Sequence, residues 1–230
     1  VFASLSLTVS ADRHYARGDL AEAITDYQQA LLLDPENHLA RNSLAICHAH
    51  LGRNSRAQQE FQELLARDPN HVIALYNHGC LSLKMEQLEA AEENLQRCLE
   101  LQPEQPYVMN YLAYSWVEQE INLDKAQEML QRAVEQRPED GFIVDSMGWV
   151  YYRLGHYEKA VRYLERAVEL RPNDAVINDH LGDAYWKVGR RREARFQWHR
   201  ALSLDPDAEV QARIERKLDT GLNAVDRPDG

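Results

Sequence analysis

Hydrophobic positions along the chain recur with the period of an α-helix, in blocks about 34 residues apart. Each block ends in a stretch whose apolar residues stand at i, i+3, i+4 and i+7, the spacing of one helix face. A proline closes each stretch, and it marks a helix end because it lacks an N–H and disfavours helix before it. These prolines are Pro35, Pro69, Pro103, Pro138, Pro172 and Pro206. Their spacings of 34, 34, 35, 34 and 34 residues indicate six repeated units.

A second helix is predicted at the start of each unit, before the stretch that ends in proline. It carries a small residue, and so does the helix that follows, which lets the two helices approach closely. The small residues of the first helices are Ala11, Ala45, Gly79, Ala113, Gly148 and Gly182. Glycine marks most turns between the two helices. Unit 3 has Glu86 there instead, and unit 4 has the longer segment EQEINLDKA, which predicts a longer loop.

This pattern resembles the tetratricopeptide repeat, L-G-x2-Y…A-x3-F…P. Unit 5 matches it best, through Met147-Gly148, Tyr151, Gly155, Ala160, Leu164, Ala167 and Pro172. The resemblance implies an all-α protein, a right-handed superhelical solenoid of six helix pairs. The expected repeats are residues 4–37, 38–71, 72–105, 106–140, 141–174 and 175–208.

One further helix is predicted after the last repeat. Val210, Ile214 and Leu218 form a narrow apolar stripe among charged residues, as a terminal helix needs if one face covers the array and the other meets water. The chain therefore predicts a capping helix over residues 209–220 and a disordered tail over 221–230.

The resemblance also implies which residues bind a partner, because in this family the first helix of each pair lines a concave groove. In repeats 4–6 the expected groove residues are Tyr107, Asn110, Tyr114, Phe142, Asp145, Trp149, Tyr152, Asp179, Asp183 and Trp186. Aromatic side chains ringed by polar groups are typical of protein-binding hot spots, and carboxylates favour basic ligands. We therefore expect a protein or peptide partner with basic and aromatic residues. Packing of these aromatics within the helices is the alternative.

The second half has a narrower resemblance. Segments such as DGFIVDSMGWVYYRLG and INDHLGDAYWKVGRRREARFQW are similar to proteobacterial tetratricopeptide proteins, some of them periplasmic lipoproteins that act as adaptors for a protease. This implies an adaptor in a bacterial complex. The first three repeats resemble more general bacterial repeats. The change near residues 103–106 reflects either natural divergence or a splice of two arrays.

Charge and apolar content limit the possible partners. The formal net charge of −11 argues against nucleic acid and anionic membranes. No apolar run reaches the ~18–20 residues of a membrane span, so direct membrane insertion is not expected. The basic run from Lys187 to Arg200 is interpreted as a solvated turn. The chain opens at Val1 within an apolar pattern and is expected to be a fragment, so its compartment, cytoplasm or bacterial periplasm, stays open.

No catalytic residue, metal site or cofactor is predicted, and the chain is not expected to be an enzyme. Asp145, Asp179 and Asp183 are expected to be solvated carboxylates in an open groove, where desolvation is too weak for acid–base catalysis. A second set of metal-ligand types is interpreted as helix packing, because its members point to different faces. This set is Cys47, His48, His50 and His78.

Two other functions remain open at this stage. The apolar residues Phe2, Leu5 and Val9 have no preceding helix to cover them, which favours a self-associating module and a homo-oligomer through the first repeat. The other alternative is a spliced or engineered array with no native ligand.

Overall fold

The structure is a computed structural model that describes residues 2–222. Over these residues it has thirteen α-helices and no strand, which confirms the predicted all-α class. The helices are α1 Phe2–Arg17, α2 Leu20–Leu33, α3 His38–His50, α4 Asn54–Arg67, α5 Val72–Lys84, α6 Leu88–Leu101, α7 Pro106–Glu118, α8 Leu123–Gln136, α9 Gly141–Arg153, α10 Tyr157–Leu170, α11 Ala175–Lys187, α12 Arg191–Leu202 and α13 Ala208–Thr220.

Aspartate caps begin three helices in the second half. The side chains of Asp140, Asp174 and Asp207 each accept hydrogen bonds from the backbone N–H groups two and three residues later. Those N–H groups have no carbonyl partner within the helix, so the cap satisfies donors that would otherwise be unpaired. The caps therefore set where α9, α11 and α13 start.

The turns within helix pairs use left-handed backbone, with or without glycine. Gly155 and Gly189 have φ of +79° and +84°, a region that glycine enters without a steric penalty. Glu86 takes the corresponding place with φ of +56°, so the missing glycine of repeat 3 leaves a strained turn. In repeat 4 the loop covers residues 119–122 and includes left-handed Glu120 and Asn122, as the additional residue led us to expect.

The chain divides into two compact units, residues up to Glu104 and residues from Gln105 onward. In the first unit α1–α6 form three helix pairs, and α2 and α4 each also contact the first helix of the following pair. In the second unit α7–α12 form three pairs in the same way, and α13 contacts α12. The predicted disorder of the tail falls on residues 223–230, which lie outside the described residues, whereas Gly221 is buried.

Glycines in the second unit allow the helices of a pair to touch. A Cβ added to Gly148 would lie 2.6 Å from Cγ of Leu164, and one added to Gly182 would lie 2.4 Å from the Trp198 indole. Leu164 and Trp198 are both fully buried. This close packing directs one face of α9 and α11 against α10 and α12, and it leaves the other face of α9 and α11 to form the candidate site.

Candidate binding site of the second unit

Nine of the ten predicted groove residues line two adjoining cavities in the second unit. The aromatic cavity has a volume of about 350 Å³ and includes Tyr107, Asn110, Tyr114, Phe142 and Asp145 in its wall. The charged cavity has a volume of about 520 Å³ and includes Tyr114, Trp149, Tyr152, Asp179 and Asp183. Tyr114 and Val176 line both cavities, so the two are neighbours. Trp186 lines neither of them.

The aromatic cavity is bordered by exposed rings. Tyr107, Tyr111 and Phe142 are 43%, 40% and 47% exposed. The guanidinium of Arg171 lies 3.8 Å from the Phe142 ring centroid and holds that ring at the cavity edge through a cation–π contact. Tyr111 lies outside the repeat positions from which the groove residues were predicted, so the sequence reasoning missed it.

Asn110 contributes a polar group to the wall of this cavity. Its side chain is buried, and its Oδ1 has no hydrogen-bond partner among the described residues. The aspartates at the same repeat position in the next two repeats are Asp145 and Asp179. Both are paired with a cation two helices further along the chain, on α11 and α13 respectively. Of the three residues at this repeat position, Asn110 is therefore the one whose side-chain oxygen can still accept a hydrogen bond.

The aspartates of the charged cavity are buried and paired. Asp179 is completely buried, and Asp183 is 5% exposed. The Lys217 ammonium lies 2.8 Å from Asp179 Oδ1 and 2.7 Å from Asp183 Oδ2, and Arg213 Nη2 lies 3.0 Å from Asp179 Oδ2. The prediction of solvated carboxylates is therefore wrong, because α13 covers the aspartates of α11 and supplies their counter-charges.

Burial also changes the acidity of this cluster. It raises the pKa of Asp183 to about 6, although the Lys217 ammonium opposes the shift. The second carboxylate oxygen of Asp183 accepts a hydrogen bond from the Trp198 indole N–H at 2.9 Å. Each oxygen of this carboxylate thus has a partner within the protein, which removes the free basic site that acid–base catalysis needs.

The third predicted aspartate, Asp145, pairs with a histidine. His180 Nδ1 lies 3.0 Å from Asp145 Oδ1, and both side chains are buried, so the solvated state predicted for Asp145 is also wrong. Burial by itself lowers the pKa of His180, but the carboxylates of Asp145, Asp179 and Glu118 outweigh burial and raise the pKa. The histidine therefore favours its charged form, as the partner of a buried carboxylate should.

Trp149 is the centre of a stacked set of rings. It lies between the imidazole of His180, at 4.0 Å between centroids, and the phenol of Tyr152, at 4.6 Å. Its indole N–H donates to Glu118 Oε1 at 2.6 Å. Only 7% of Trp149 is exposed, so it forms the floor of the charged cavity instead of a projecting anchor.

Trp186 belongs to the packing at the end of the unit. The Arg191 guanidinium lies 3.7 Å from its ring centroid, and the Trp198 ring lies 5.2 Å away. A Cβ at Gly221 would collide with the Trp186 indole, so the end of α13 rests against this ring. Trp186 thus helps to hold α13 in place.

Several cations of the basic run between Lys187 and Arg200 contact other side chains and the backbone, whereas a solvated turn was predicted. Arg190 lies 4.0 Å over the Tyr185 ring and pairs with Glu165 at 3.1 Å. Arg195 Nη1 donates to the Leu218 carbonyl oxygen at 2.6 Å. These contacts connect α12 with α13 and with the preceding pair, so several of these cations have structural roles.

The sequence reasoning missed the cations that α13 brings to the charged cavity. Arg213 lies 34 residues after Asp179, and Lys217 lies 34 residues after Asp183, which is the repeat spacing. That spacing was the available signal. The apolar stripe from which the capping helix is predicted does not include these two positions.

The residue types that bind metals do not converge in this structure. Within residues 2–222 no group of three or more histidine, cysteine, aspartate and glutamate side chains has the geometry to hold a metal ion. Cys47 and His48 are buried in helix packing, and His50 lies 3.4 Å from the Tyr15 hydroxyl. No helix in the described part of the chain is long and apolar enough to cross a membrane.

Curated proteins match short parts of the chain. FK506-binding protein 59 of Drosophila melanogaster is 39% identical over 62 residues, 27% of this chain and 14% of that protein. Cellulose synthase operon protein C of Pseudomonas fluorescens is 38% identical over 81 residues, 35% of this chain and 6% of that protein. The matched segments thus span less than a fifth of either relative.

Solved structures share the fold over most of the chain. A tetratricopeptide repeat protein from Parabacteroides merdae matches with a TM-score of 0.73 and 15% identity, over 97% of this chain and 100% of its own. The pilF protein of Pseudomonas aeruginosa matches with a TM-score of 0.76 and 20% identity, over 94% and 97%. YrrB, described as a TPR protein with an unusual peptide-binding site, matches with a TM-score of 0.61 and 20% identity, over 83% and 97%.

Two family models match the sequence itself. The middle TPR-like domain of cilia and flagella-associated protein 70 matches residues 7–117, and the tetratricopeptide repeat matches residues 145–174. Together they cover more than half of the chain, and they agree with the helix pairs and with the fold of the solved structures. The chain belongs to the tetratricopeptide-repeat family.

Proposed function

We propose that this chain is a protein-binding scaffold whose second unit holds a segment of a partner protein across the aromatic cavity. The observation that carries the proposal is the group of three exposed rings around this cavity, Tyr107, Tyr111 and Phe142. Exposed aromatic groups beside a concave surface are typical of protein interfaces. An adaptor role in a bacterial complex is the specific form of scaffold that we propose.

The cavity favours an apolar or aromatic side chain as the anchor of the bound segment. Aromatic walls offer a large contact area and lose little side-chain entropy on binding. The amide of Asn110 then holds the backbone of the segment, because its unpaired Oδ1 accepts a hydrogen bond from a peptide N–H. An open site of this size must also offset the ordering of the peptide, so we expect micromolar affinity.

The structure offers less support for basic residues in the partner than for aromatic ones. Asp145, Asp179 and Asp183 already pair with cations of the chain. The exposed carboxylates that line the charged cavity are those of Glu118, Asp207 and Glu209. A Lys or Arg of the partner would pair there, at the edge of the site, with a small contribution to affinity. We propose no catalytic role, because the buried carboxylates are neutralised.

A peptide-display screen tests the proposal. Wild-type protein should select peptides with an aromatic or large apolar residue, and Phe142→Ala should weaken their binding about tenfold by removing one wall of the cavity. Phe196→Ala is the matched control, because Phe196 is 67% exposed but lies on α12, outside both cavities. Equal loss of binding in both variants, or no selected peptide at all, would contradict the proposal.

Self-association is the second candidate, and the surface of α1 favours it. Phe2, Leu5 and Val9 are 91%, 49% and 50% exposed and line a cavity of about 360 Å³. If this face joins two copies, light scattering should show a dimer that Leu5→Lys converts to a monomer. Leu32→Lys is the control, since Leu32 is 83% exposed on α2 and does not line this cavity. A monomeric wild type at all concentrations would exclude this function.

A further inference from the structure

We infer that α5 of the first unit is an acid-sensitive helix, which opens when two histidines take up protons under conditions that leave the second unit folded. The histidines are His71, directly before the first residue of α5, and His78, in the middle of this helix. Each has a structural role that requires the neutral imidazole ring, and the physical reason differs between the two.

His78 is buried without a hydrogen-bond partner. Only 6% of it is exposed, and neither ring nitrogen has a partner among the described residues. The ring lies 5.9 Å from the Phe61 ring of α4, between centroids. A charged ring is much less stable than a neutral one in such surroundings. At the same position the second, fourth and sixth repeats have buried leucines, which are Leu44, Leu112 and Leu181.

The groups around His78 do not offset its burial. Burial lowers the pKa of the imidazole below its ordinary 6.5, and the Asn94 side chain and Glu93 carboxylate of α6 oppose this shift without cancelling it. On α3, which also contacts α5, burial lowers the pKa of His48. Two cations lower that pKa further, Arg53 and Arg56. His48 therefore acts in the same direction as His78.

His71 caps the start of α5 through a ring nitrogen. Its Nδ1 accepts a hydrogen bond from the Ala74 backbone N–H at 3.2 Å. A protonated ring carries hydrogen on both nitrogens and accepts no bond, so protonation removes the cap. The His38 ring of α3 lies 6.0 Å from that of His71 and has the carboxylates of Glu36 and Asp68 at 3.8 Å.

Acid therefore weakens α5 through both rings. An unfolded histidine takes up its proton near pH 6.5, so the open helix binds more protons than the closed one below that pH. The stability of the closed helix then falls as the pH decreases. A ring that is neutral when closed and titrates normally when open changes the opening equilibrium by up to about fivefold between pH 7.5 and 5.8.

Buried groups of the second unit respond in the opposite direction. Burial lowers the pKa of His180, but the neighbouring carboxylates outweigh burial and raise it above 6.5. Burial raises the pKa of Asp183 from 3.8 to about 6. In both cases the folded state binds more protons than the unfolded chain, so these groups favour the folded second unit as the pH falls. The same acidification thus separates the stabilities of the two units.

Hydrogen exchange of the whole chain at pH 7.5 and 5.8, read by mass spectrometry and corrected for intrinsic exchange, tests the inference. The opening equilibrium of α5 should increase about tenfold at pH 5.8, and that of α11 should not increase. His78→Leu introduces the residue type of three other repeats and should lower the α5 ratio at least about twofold. Adding His71→Asn should lower it further, because Asn37 caps α3 at the same repeat position without titrating.

His50→Gln is the control, since His50 is an exposed histidine of the same unit, and it should leave the ratio unchanged. A wild-type ratio near one would overturn the inference, and so would a ratio that survives both His78→Leu and the double variant. An equal increase in α11 would overturn it as well, because acid would then open the whole chain instead of this helix.

Discussion

The ammonium of Lys217 on α13 lies 2.7 Å from the carboxylate of Asp183 on α11, and only 6% of Lys217 is exposed. The same ammonium lies 2.8 Å from Asp179, so one buried cation serves two buried anions. Removing one member of such a group leaves the others charged and without compensation in a poorly solvated place. The docking of α13 therefore depends on electrostatics as well as on its apolar contacts.

Lys217→Met tests this dependence. It leaves Asp179 and Asp183 buried with Arg213 as the remaining cation, and we expect a loss of about 3–5 kcal/mol in the free energy of unfolding. Urea denaturation followed by circular dichroism provides the measurement. Arg216→Met, on the exposed side of α13, should change stability by less than about 0.5 kcal/mol. Similar values for the two variants would show that the buried pair contributes little.

His180 should make stability depend on pH. Its folded-state pKa is raised above the ordinary value of 6.5, so its pairing with Asp145 stabilises the fold fully below that pH. The contribution declines as pH rises through the raised pKa, because the unfolded chain has already released its proton. The stability difference between wild type and His180→Asn should therefore shrink as the pH rises above about 6.5. A difference that stays constant or grows would contradict the charged pair.

Asn110 should affect binding more than folding. Its Oδ1 is buried without a partner, so Asn110→Ala removes an unsatisfied group and should cost less than about 1 kcal/mol of stability. The same change should weaken peptides from the display screen about tenfold, the effect of one lost hydrogen bond. Asn70→Ala in the first unit is the control for both measurements. Unchanged peptide affinity in the Asn110 variant would remove this residue from the site.

Glu86 offers a test of the strained turn in repeat 3. Its φ of +56° is a region that L-residues enter at a cost and glycine enters freely. We expect Glu86→Gly to raise the thermal midpoint, with a gain of about 0.5–1 kcal/mol. Glu93→Gly, inside α6, should instead destabilise by about 1 kcal/mol, because glycine is unfavourable within a helix. A lower midpoint for the Glu86 variant would exclude strain at this turn.

Local signals in the sequence were sufficient for the helices and their pairing. Helical periodicity and proline punctuation act over a few residues, and the recurrence near 34 residues relates each first helix to the next. The family resemblance then implied which positions of each first helix face the groove, and Tyr107, Phe142 and seven other residues at those positions line the two cavities. Trp186 has the same kind of position but lies against Arg191 and Trp198, because contacts from a neighbouring helix decide where a ring points.

The burial and ion pairing of the aspartates in the site could not be predicted from local signals. Whether Asp179 is solvated or buried depends on α13, which begins almost thirty residues later. Within residues 2–222 no second helix follows α13 to reveal its register. An apolar stripe shows that a helix packs, but it does not show which polar side chains the packing encloses. The correspondence between Asp183 and Lys217 becomes meaningful only when α13 is treated as the first helix of a further repeat.

The match between α13 and the first helix of a repeat shows what the addition of a further repeat would require. Ile214 is fully buried at the position that His180 holds one repeat earlier, so α13 already has the inner contacts of an internal helix. At the position of Gly182, which admits Trp198 of the following helix, α13 has Arg216 instead. A long charged side chain at this position prevents a following helix from packing as closely on α13 as α12 packs on α11. Elongation of the array would thus require small and apolar residues on that one face, while the ionic joint with α11 is already in place.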